Sequence, residues 1–175
     1  MALVGALWPV FFPVLGAIIS LIHIRWKHHR GMNALETFLV WQLALSIGLN
    51  YLYSGIGHLV FPDQVAASIG WPPGSPFQRE VGMWDFAIGI VGLLCLKFRS
   101  TGFWIATVIA FGIFSLGAGL GHVYELFVHG DVSVNNAGPV MFMDLLYPVF
   151  LGVLLFWYHK WKKEGQGGVP AFLSE

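Results

Sequence analysis

The sequence is poor in charged residues. Asp, Glu, Lys and Arg together make up 10% of the 175 residues, whereas a soluble globular domain carries about 25%. Hydrophobic residues amount to 57%, and the mean hydropathy is +0.71. The chain therefore has too few polar side chains to cover a surface that faces water. The composition and the length of the apolar runs predict an all-α integral membrane protein in contact with a lipid bilayer.

Other absences exclude whole classes of function. Cys95 is the only cysteine, which excludes an internal disulfide and a thiolate metal cluster. The formal net charge is zero, and the sequence lacks the basic stripe that binds nucleic-acid phosphates, so no nucleic-acid partner is expected. No Ser-His-Asp order, phosphate-binding loop or HExxH motif occurs. The common signatures of hydrolases and nucleotide-binding proteins are thus missing.

Five apolar stretches are long enough to cross a bilayer, which takes about 20 helical residues. They cover about residues 3–24, 35–61, 79–98, 101–128 and 139–160. In a five-span arrangement all the basic connections fall on one side, namely "RWKHHR" (25–30), Lys97 with Arg99, and the lysines that follow the fifth span. The positive-inside rule then predicts an outer N-terminus and a cytoplasmic C-terminus.

The chain is interpreted as one membrane domain over residues 1–175. Residues 1–30 are expected to form an extra N-terminal helix and a basic inner loop, 31–164 a four-helix bundle, and 165–175 a flexible tail. The connection 62–78 is rich in Pro, Gly and Ser and contains Trp71 and Phe77. We expect it to form an ordered lid at the outer interface, where tryptophan is favoured.

Polar residues from four of the predicted helices lie at one depth. His58 is near the outer end of the second span, Glu80 opens the third, His122 and Glu125 are near the outer end of the fourth, and Asp144 is near the start of the fifth. At about 1.5 Å per residue, all five lie within roughly 10 Å of the outer boundary. Two imidazoles and three carboxylates suit Zn, Fe or Mn, so these five residues are predicted metal ligands.

Three further polar residues are predicted to help bind a cofactor at the same site. Tyr51 and Ser54 precede His58 by seven and four residues and therefore share its helical face. Asp85 follows Glu80 by five residues, about 140° around the helix. It could line the edge of the same cavity or face a different neighbour.

An internal similarity links the two halves of the predicted bundle. The stretch "SGIGHLV" (54–60) resembles "AGLGHVY" (118–124) position for position. Glu80 follows His58 by 22 residues, and Asp144 follows His122 by the same number. The second and third spans therefore look like a repeat of the fourth and fifth, with a pseudo-twofold axis along the membrane normal, as in known membrane designs.

The residues leave several functions open besides a metal site for redox-linked chemistry. The cluster could form a proton-linked or quinone-binding cavity, because buried His and Glu can relay protons. His58 and His122 could be the axial ligands of haem b. The cluster could also be a structural network in an accessory subunit of a larger membrane complex or in a homo-oligomer. Whether the chain is an enzyme is not decided by these patterns.

Three stretches carry a resemblance to known proteins: "GIGHLVFPDQVAASIGWPPGSPFQREVG" (55–82), "LGAGLGHVYEL" (116–126) and "DLLYP" (144–148). With them the chain resembles a family of small, uncharacterised bacterial multi-pass membrane proteins. More distantly it is similar to DoxX-like four-helix membrane proteins, some of which are subunits linked to quinone-dependent sulfur oxidation. The resemblance implies a DoxX-like bundle over about residues 35–160, an additional first helix, and a bacterial inner-membrane location.

Overall fold

The computed structural model describes residues 2–26 and 33–166, and this part of the chain is helical with no strand. The helices are α1 (Ala2–Trp26), α2 (Ala34–Gln42), α3 (Asn50–Val60), α4 (Pro62–Ile69), α5 (Phe77–Leu94), α6 (Thr101–Tyr124) and α7 (Pro139–Gln166). Two π-helical segments accompany them. Segment π1 (Leu43–Leu49) joins α2 to α3, and π2 (Glu125–His129) follows α6 directly.

Local sequence explains where several helices begin and end. The side chains of Asn33 and Ser100 accept hydrogen bonds from the backbone N–H groups of Leu35 and Phe103 and so cap α2 and α6. Pro62 occupies the first turn of α4, where its missing N–H costs nothing. Gly70 ends α4 with φ +88°, a left-handed conformation that favours glycine.

Among the described residues, four helical segments are long and apolar enough to cross a membrane: Leu7–Trp26, Ala34–Val60, Thr101–His129 and Pro139–Lys163. Large apolar side chains point outward along them, among them Phe11, Leu21, Ile113 and Phe156. Exposed apolar surface of this extent is typical of contact with lipid. The structure thus confirms that the described residues are helical and that they include apolar helices long enough to cross a membrane. The predicted third span is not confirmed, because α5 carries three charged residues in its 18 residues: Arg79, Glu80 and Asp85.

The helices pack in neighbouring pairs. Helix α3 packs against α5, α6 packs against α7, and α1 lies along α2, π1 and α7. The approach of π1 to α5 is so close that a Cβ atom on Gly92 would lie 2.5 Å from the backbone nitrogen of Gly48. Small residues allow such close packing between membrane helices.

The two ends of the bundle differ. Towards the end with Lys97, Arg99 and the α7 lysines, which we name the basic end, the interior is filled by large side chains such as Trp104 and Tyr158. At the opposite, capped end lie the connections 61–76 and 130–138. They are joined where the Asn135 backbone N–H donates to the Ser68 carbonyl at 3.0 Å. The predicted lid over 62–78 thus contains a helix, α4, that the sequence analysis did not predict.

Two predicted segments lie mostly outside the described residues. They are the basic connection 25–30, of which only Arg25 and Trp26 are described, and the tail 165–175, of which only residues 165 and 166 are described.

A polar cavity beneath the capped end

A cavity of about 990 Å³ lies beneath the capped end of the bundle. Helices α1, α3, α4, α5, α6 and α7 all contribute to its wall. Most of the lining side chains are apolar or aromatic, and the polar ones come mainly from the helices that form the two packed pairs. The basic end is closed by the packed core, whereas the capped end leaves room for a bound molecule.

The cavity brings together most of the predicted site residues. Among the predicted metal ligands, His58, His122, Glu125 and Asp144 line it, and so do the three predicted cofactor-binding residues Tyr51, Ser54 and Asp85. Glu80 does not line it and is exposed. The reason is the rotation of α5, whose buried face carries Gln78, Gly82, Asp85 and Gly89. Asp85, rather than the carboxylate 22 residues after His58, therefore faces the cavity.

His58 is held by a buried amide. Its Nδ1 lies 2.6 Å from Oε1 of Gln78, and both side chains are buried. A carbonyl oxygen only accepts, so the Nδ1–H group is the donor. In the neutral ring Nε2 is then left as an acceptor.

His122 is held in a similar way. Its Nδ1 donates to Oδ1 of Asn136 at 2.8 Å, and its Nε2 lies 3.6 Å from Oδ2 of Asp144. Asn136 is fully buried, and its Nδ2 also donates to the Asp131 carbonyl at 2.8 Å. Each imidazole is thus oriented by the amide group of a residue that lies outside the helix carrying the histidine.

The two aspartates in the cavity differ in their partners. Asp144 accepts a hydrogen bond from the Ser115 hydroxyl at 2.8 Å and faces His122. Asp85 lies beside Ser54, but its Oδ1 is buried without a hydrogen-bond partner. Tyr51 lines the same cavity as both carboxyl groups. Asp85 is therefore the carboxyl group whose bonding is incomplete.

Glu125 pairs with a residue that was not predicted. His129, four residues further along π2, donates from Nδ1 to Oε2 of Glu125 at 2.6 Å. The pair lies at the exposed edge of the site. In the neighbouring connection, hydrogen bonds from the hydroxyl and the backbone N–H of Ser133 lower the pKa of Asp131. This carboxylate lies against Gly70 of the other connection, so no side chain would fit at position 70.

The geometry does not assemble the five predicted ligands around one point. Within residues 2–26 and 33–166, no three His, Cys, Asp or Glu side chains are grouped so that they could hold a metal ion. Glu80 is exposed, Glu125 bonds to His129, and the two histidines direct Nδ1 to amide groups. His122 and Asp144 are the closest approach to a ligand pair. Metal binding stays a prediction.

The sequence analysis missed the amides that orient the histidines. Gln78 and Asn136 are 1% and 0% exposed. They lie in polar stretches between apolar runs, where an amide is usually solvated. A second buried network surrounds Gln42, whose Oε1 accepts from Ser46 and from the Tyr147 hydroxyl. An amide in the middle of an apolar span was the signal for this second network.

Comparison with known proteins gives one match. A family model described as "Family of unknown function (DUF6790)" matches residues 6–164, which include the whole cavity wall. No curated protein and no solved structure matches the chain.

Proposed function

We propose a function from the geometry of the cavity, because the chain belongs to DUF6790, a family of unknown function. The proposal is that the protein binds a small amphipathic organic molecule inside the membrane. The apolar part of the molecule would contact the aromatic wall, and its polar end would contact the carboxyl and imidazole groups. The observation that carries this proposal is a single cavity containing both kinds of surface.

The size and lining of the cavity support a molecule rather than a bare ion. Small-molecule sites enclose about 300–1,000 Å³ and combine an apolar wall with a few polar groups, and this cavity has about 990 Å³. Its wall includes Trp8, Tyr53, Phe111 and Phe114. The polar groups His122, Asp144 and Asp85 come from three different helices.

The proposed topology has five spans, with α5 crossing the membrane as well. At about 1.5 Å per residue an 18-residue helix measures roughly 27 Å, close to the bilayer core of about 30 Å. The charged residues Arg79 and Glu80 lie in its first turn, where a headgroup region would solvate them. With the basic end in the cytoplasm, the N-terminus is outside and the cavity opens towards the outer face of a bacterial inner membrane.

The two helix pairs support the proposal of an internal repeat and of a DoxX-like bundle. In the pair α3–α5, His58 is held by Gln78 and Asp85 lies beside Ser54. In the pair α6–α7, His122 is held by Asn136 in the preceding connection and Asp144 by Ser115. Each pair would thus supply one imidazole, one serine and one aspartate to the cavity, and an amide outside the cavity wall would orient each imidazole.

Quinone, haem b, metal-linked redox chemistry and a passive role in a larger complex are the other functions to test. His122 and Asp144 favour a metal only if the bound molecule supplies further ligand atoms, because the described residues offer no third ligand near them. Elemental analysis and an optical spectrum of the purified protein separate these cases. A stoichiometric metal would support the metal-linked function, and a Soret band would support haem b. Either result would contradict the present proposal.

The direct test fills the cavity with a side chain. Gly121 lines the cavity, and a Cβ atom there would meet nothing within 4 Å. Gly121→Leu should abolish the binding of phenylhexanol, a neutral amphipathic probe, to the protein in lipid nanodiscs. Calorimetry measures the binding, and empty nanodiscs correct for partitioning into lipid.

Gly152→Leu is the matched control. Gly152 is also a helical glycine whose Cβ atom would meet nothing within 4 Å, but it does not line the cavity. Both substitutions gain similar helix propensity, so a general effect on the helix would appear in both. Binding that is equal in Gly121→Leu, Gly152→Leu and the unchanged protein would show that the cavity is not the binding site.

A further inference from the structure

The cavity contains buried hydrogen-bond acceptors that no protein donor reaches. Oδ1 of Asp85 and Oδ1 of Asn50 are buried and have no hydrogen-bond partner, and the residues are 2% and 8% exposed. Both residues line the cavity. A buried acceptor without a donor is costly, and an acceptor can be satisfied only by an N–H or O–H group or by a cation. These two unsatisfied acceptors therefore need a hydrogen-bond donor or a cation from a bound molecule.

The protein itself does not supply a positive charge at this point. Among the described residues no Lys or Arg lines the cavity, and Asp85 forms no ion pair. The other titratable side chains on the wall are Tyr51, Tyr53, Tyr124, Tyr147, His58, His122, Glu125 and Asp144. His58 is bonded to Gln78, and His122 faces Asp144. Neither imidazole forms an ion pair with Asp85.

The aromatic wall favours an organic cation over a neutral donor. Tyr51 lines the cavity together with the two aspartates and packs edge-on against Phe111 with ring centroids 5.4 Å apart. Trp8 and Tyr53 form a second aromatic pair on the wall at 5.7 Å. Aromatic faces attract an ammonium group within about 6 Å of the ring centre. A carboxyl group among aromatic rings is the combination that recognises such a group.

We infer that the cavity binds an amphipathic organic cation whose ammonium group is held by Asp85 with the help of Asn50. The inference rests on the binding function proposed above and specifies the chemical class of its ligand. Asp144 has a different role, because Ser115 and His122 already face its carboxyl group. Asp85 is the binding residue, and Asn50 accepts a second hydrogen bond from the same head group.

Three probes with the same ring and chain test the inference: phenylhexylammonium, phenylhexanol and phenylhexanoate. Calorimetry in nanodiscs should give the tightest binding for the ammonium probe and the weakest for the carboxylate. Asp85→Asn keeps the shape of the side chain but removes its charge. It should weaken binding of the ammonium probe by about tenfold or more, as expected for a hydrogen bond to a charged group, and weaken binding of the uncharged phenylhexanol clearly less.

Asp63→Asn is the control, because Asp63 is an exposed carboxylate of α4 that does not line the cavity. It should leave all three affinities unchanged. If the neutral or anionic probe binds as tightly as the cation, or if Asp85→Asn binds the cation as well as the unchanged protein does, the inference is wrong while cavity binding itself still stands. Heat of binding from NaCl alone that is lost in Asp85→Asn would identify an inorganic cation site and also overturn it.

Discussion

At the scale of single residues, the site depends on amide groups that fix the two imidazoles. Gln78 and Asn136 each accept a hydrogen bond from a histidine Nδ1–H group. This leaves Nε2 as the ring atom available for other contacts, and in His122 it faces Asp144. The chemistry of the cavity therefore depends on two residues that carry no charge.

Asn136 provides a test of this dependence. Asn136→Ala removes the acceptor for His122 Nδ1–H and the donor to the Asp131 carbonyl. Because the site is buried, the unmet partners should lower the free energy of unfolding by about 1–3 kcal/mol. Thermal unfolding of the purified protein in detergent measures the loss as a lower melting temperature.

The neighbouring Asn135→Ala is the control for this prediction. The Asn135 side chain donates one hydrogen bond, from Nδ2 to the Ser68 hydroxyl, and its Oδ1 has no partner. A smaller fall in melting temperature is expected for it. Equal falls for the two variants would contradict the role assigned to Asn136.

At the scale of helices, the shape of the site follows from where helices can approach closely. Gly48 in π1 meets Gly92 in α5 without side chains between the backbones. Gly92 lies on the buried face of α5, and the same face also contains Asp85 and Gln78. Glycine at this crossing therefore allows the rotation of α5 about its axis that turns Asp85, and not Glu80, towards the cavity.

We predict that Gly92→Ala pushes π1 and α5 apart. Its Cβ atom would lie 2.5 Å from the Gly48 nitrogen and 2.9 Å from the Leu43 carbonyl oxygen, and backbone atoms cannot move aside locally. Overpacking of this kind costs about 1–3 kcal/mol, which should appear as a lower melting temperature. Gly102→Ala is the control, since a Cβ atom there meets nothing within 4 Å. A melting temperature unchanged by Gly92→Ala would show that the crossing tolerates a side chain.

At the scale of the whole molecule, the proposed topology requires that α5 crosses the membrane. If it does, Ser75 before α5 and Arg99 after it lie on opposite sides. Single cysteines at these positions, in a background of Cys95→Ala, can be labelled with a membrane-impermeant maleimide. Ser75→Cys should react in intact bacterial cells, and Arg99→Cys only after the cells are permeabilised.

Two further positions fix the orientation in the same experiment. Val132 is 78% exposed at the capped end, and Lys163 lies at the basic end. Val132→Cys should react from outside and Lys163→Cys only from inside. Reaction of Ser75→Cys and Arg99→Cys from the same side would contradict a fifth span, and reversed labelling of the other pair would contradict the orientation.

The sequence by itself determined that the protein is helical and suited to a membrane, and it located the long helices to within a few residues. Composition decides this because a chain with so few charges cannot be solvated, and the apolar runs are as long as a bilayer requires. Spacing also predicted a shared depth for His58, His122 and Asp144, since depth depends on the number of residues from a helix end, and all three line the cavity.

The tertiary structure alone decided which side chains face the cavity. Rotation of a helix about its axis is set by its closest neighbours, and for α5 these are glycine contacts with π1 and α3. That rotation buries Asp85 and exposes Glu80. The tertiary structure also decided which amides orient the histidines, because Gln78 and Asn136 reach their partners across 20 and 14 residues of chain. No periodic pattern encodes such contacts, which form only when separate segments pack together.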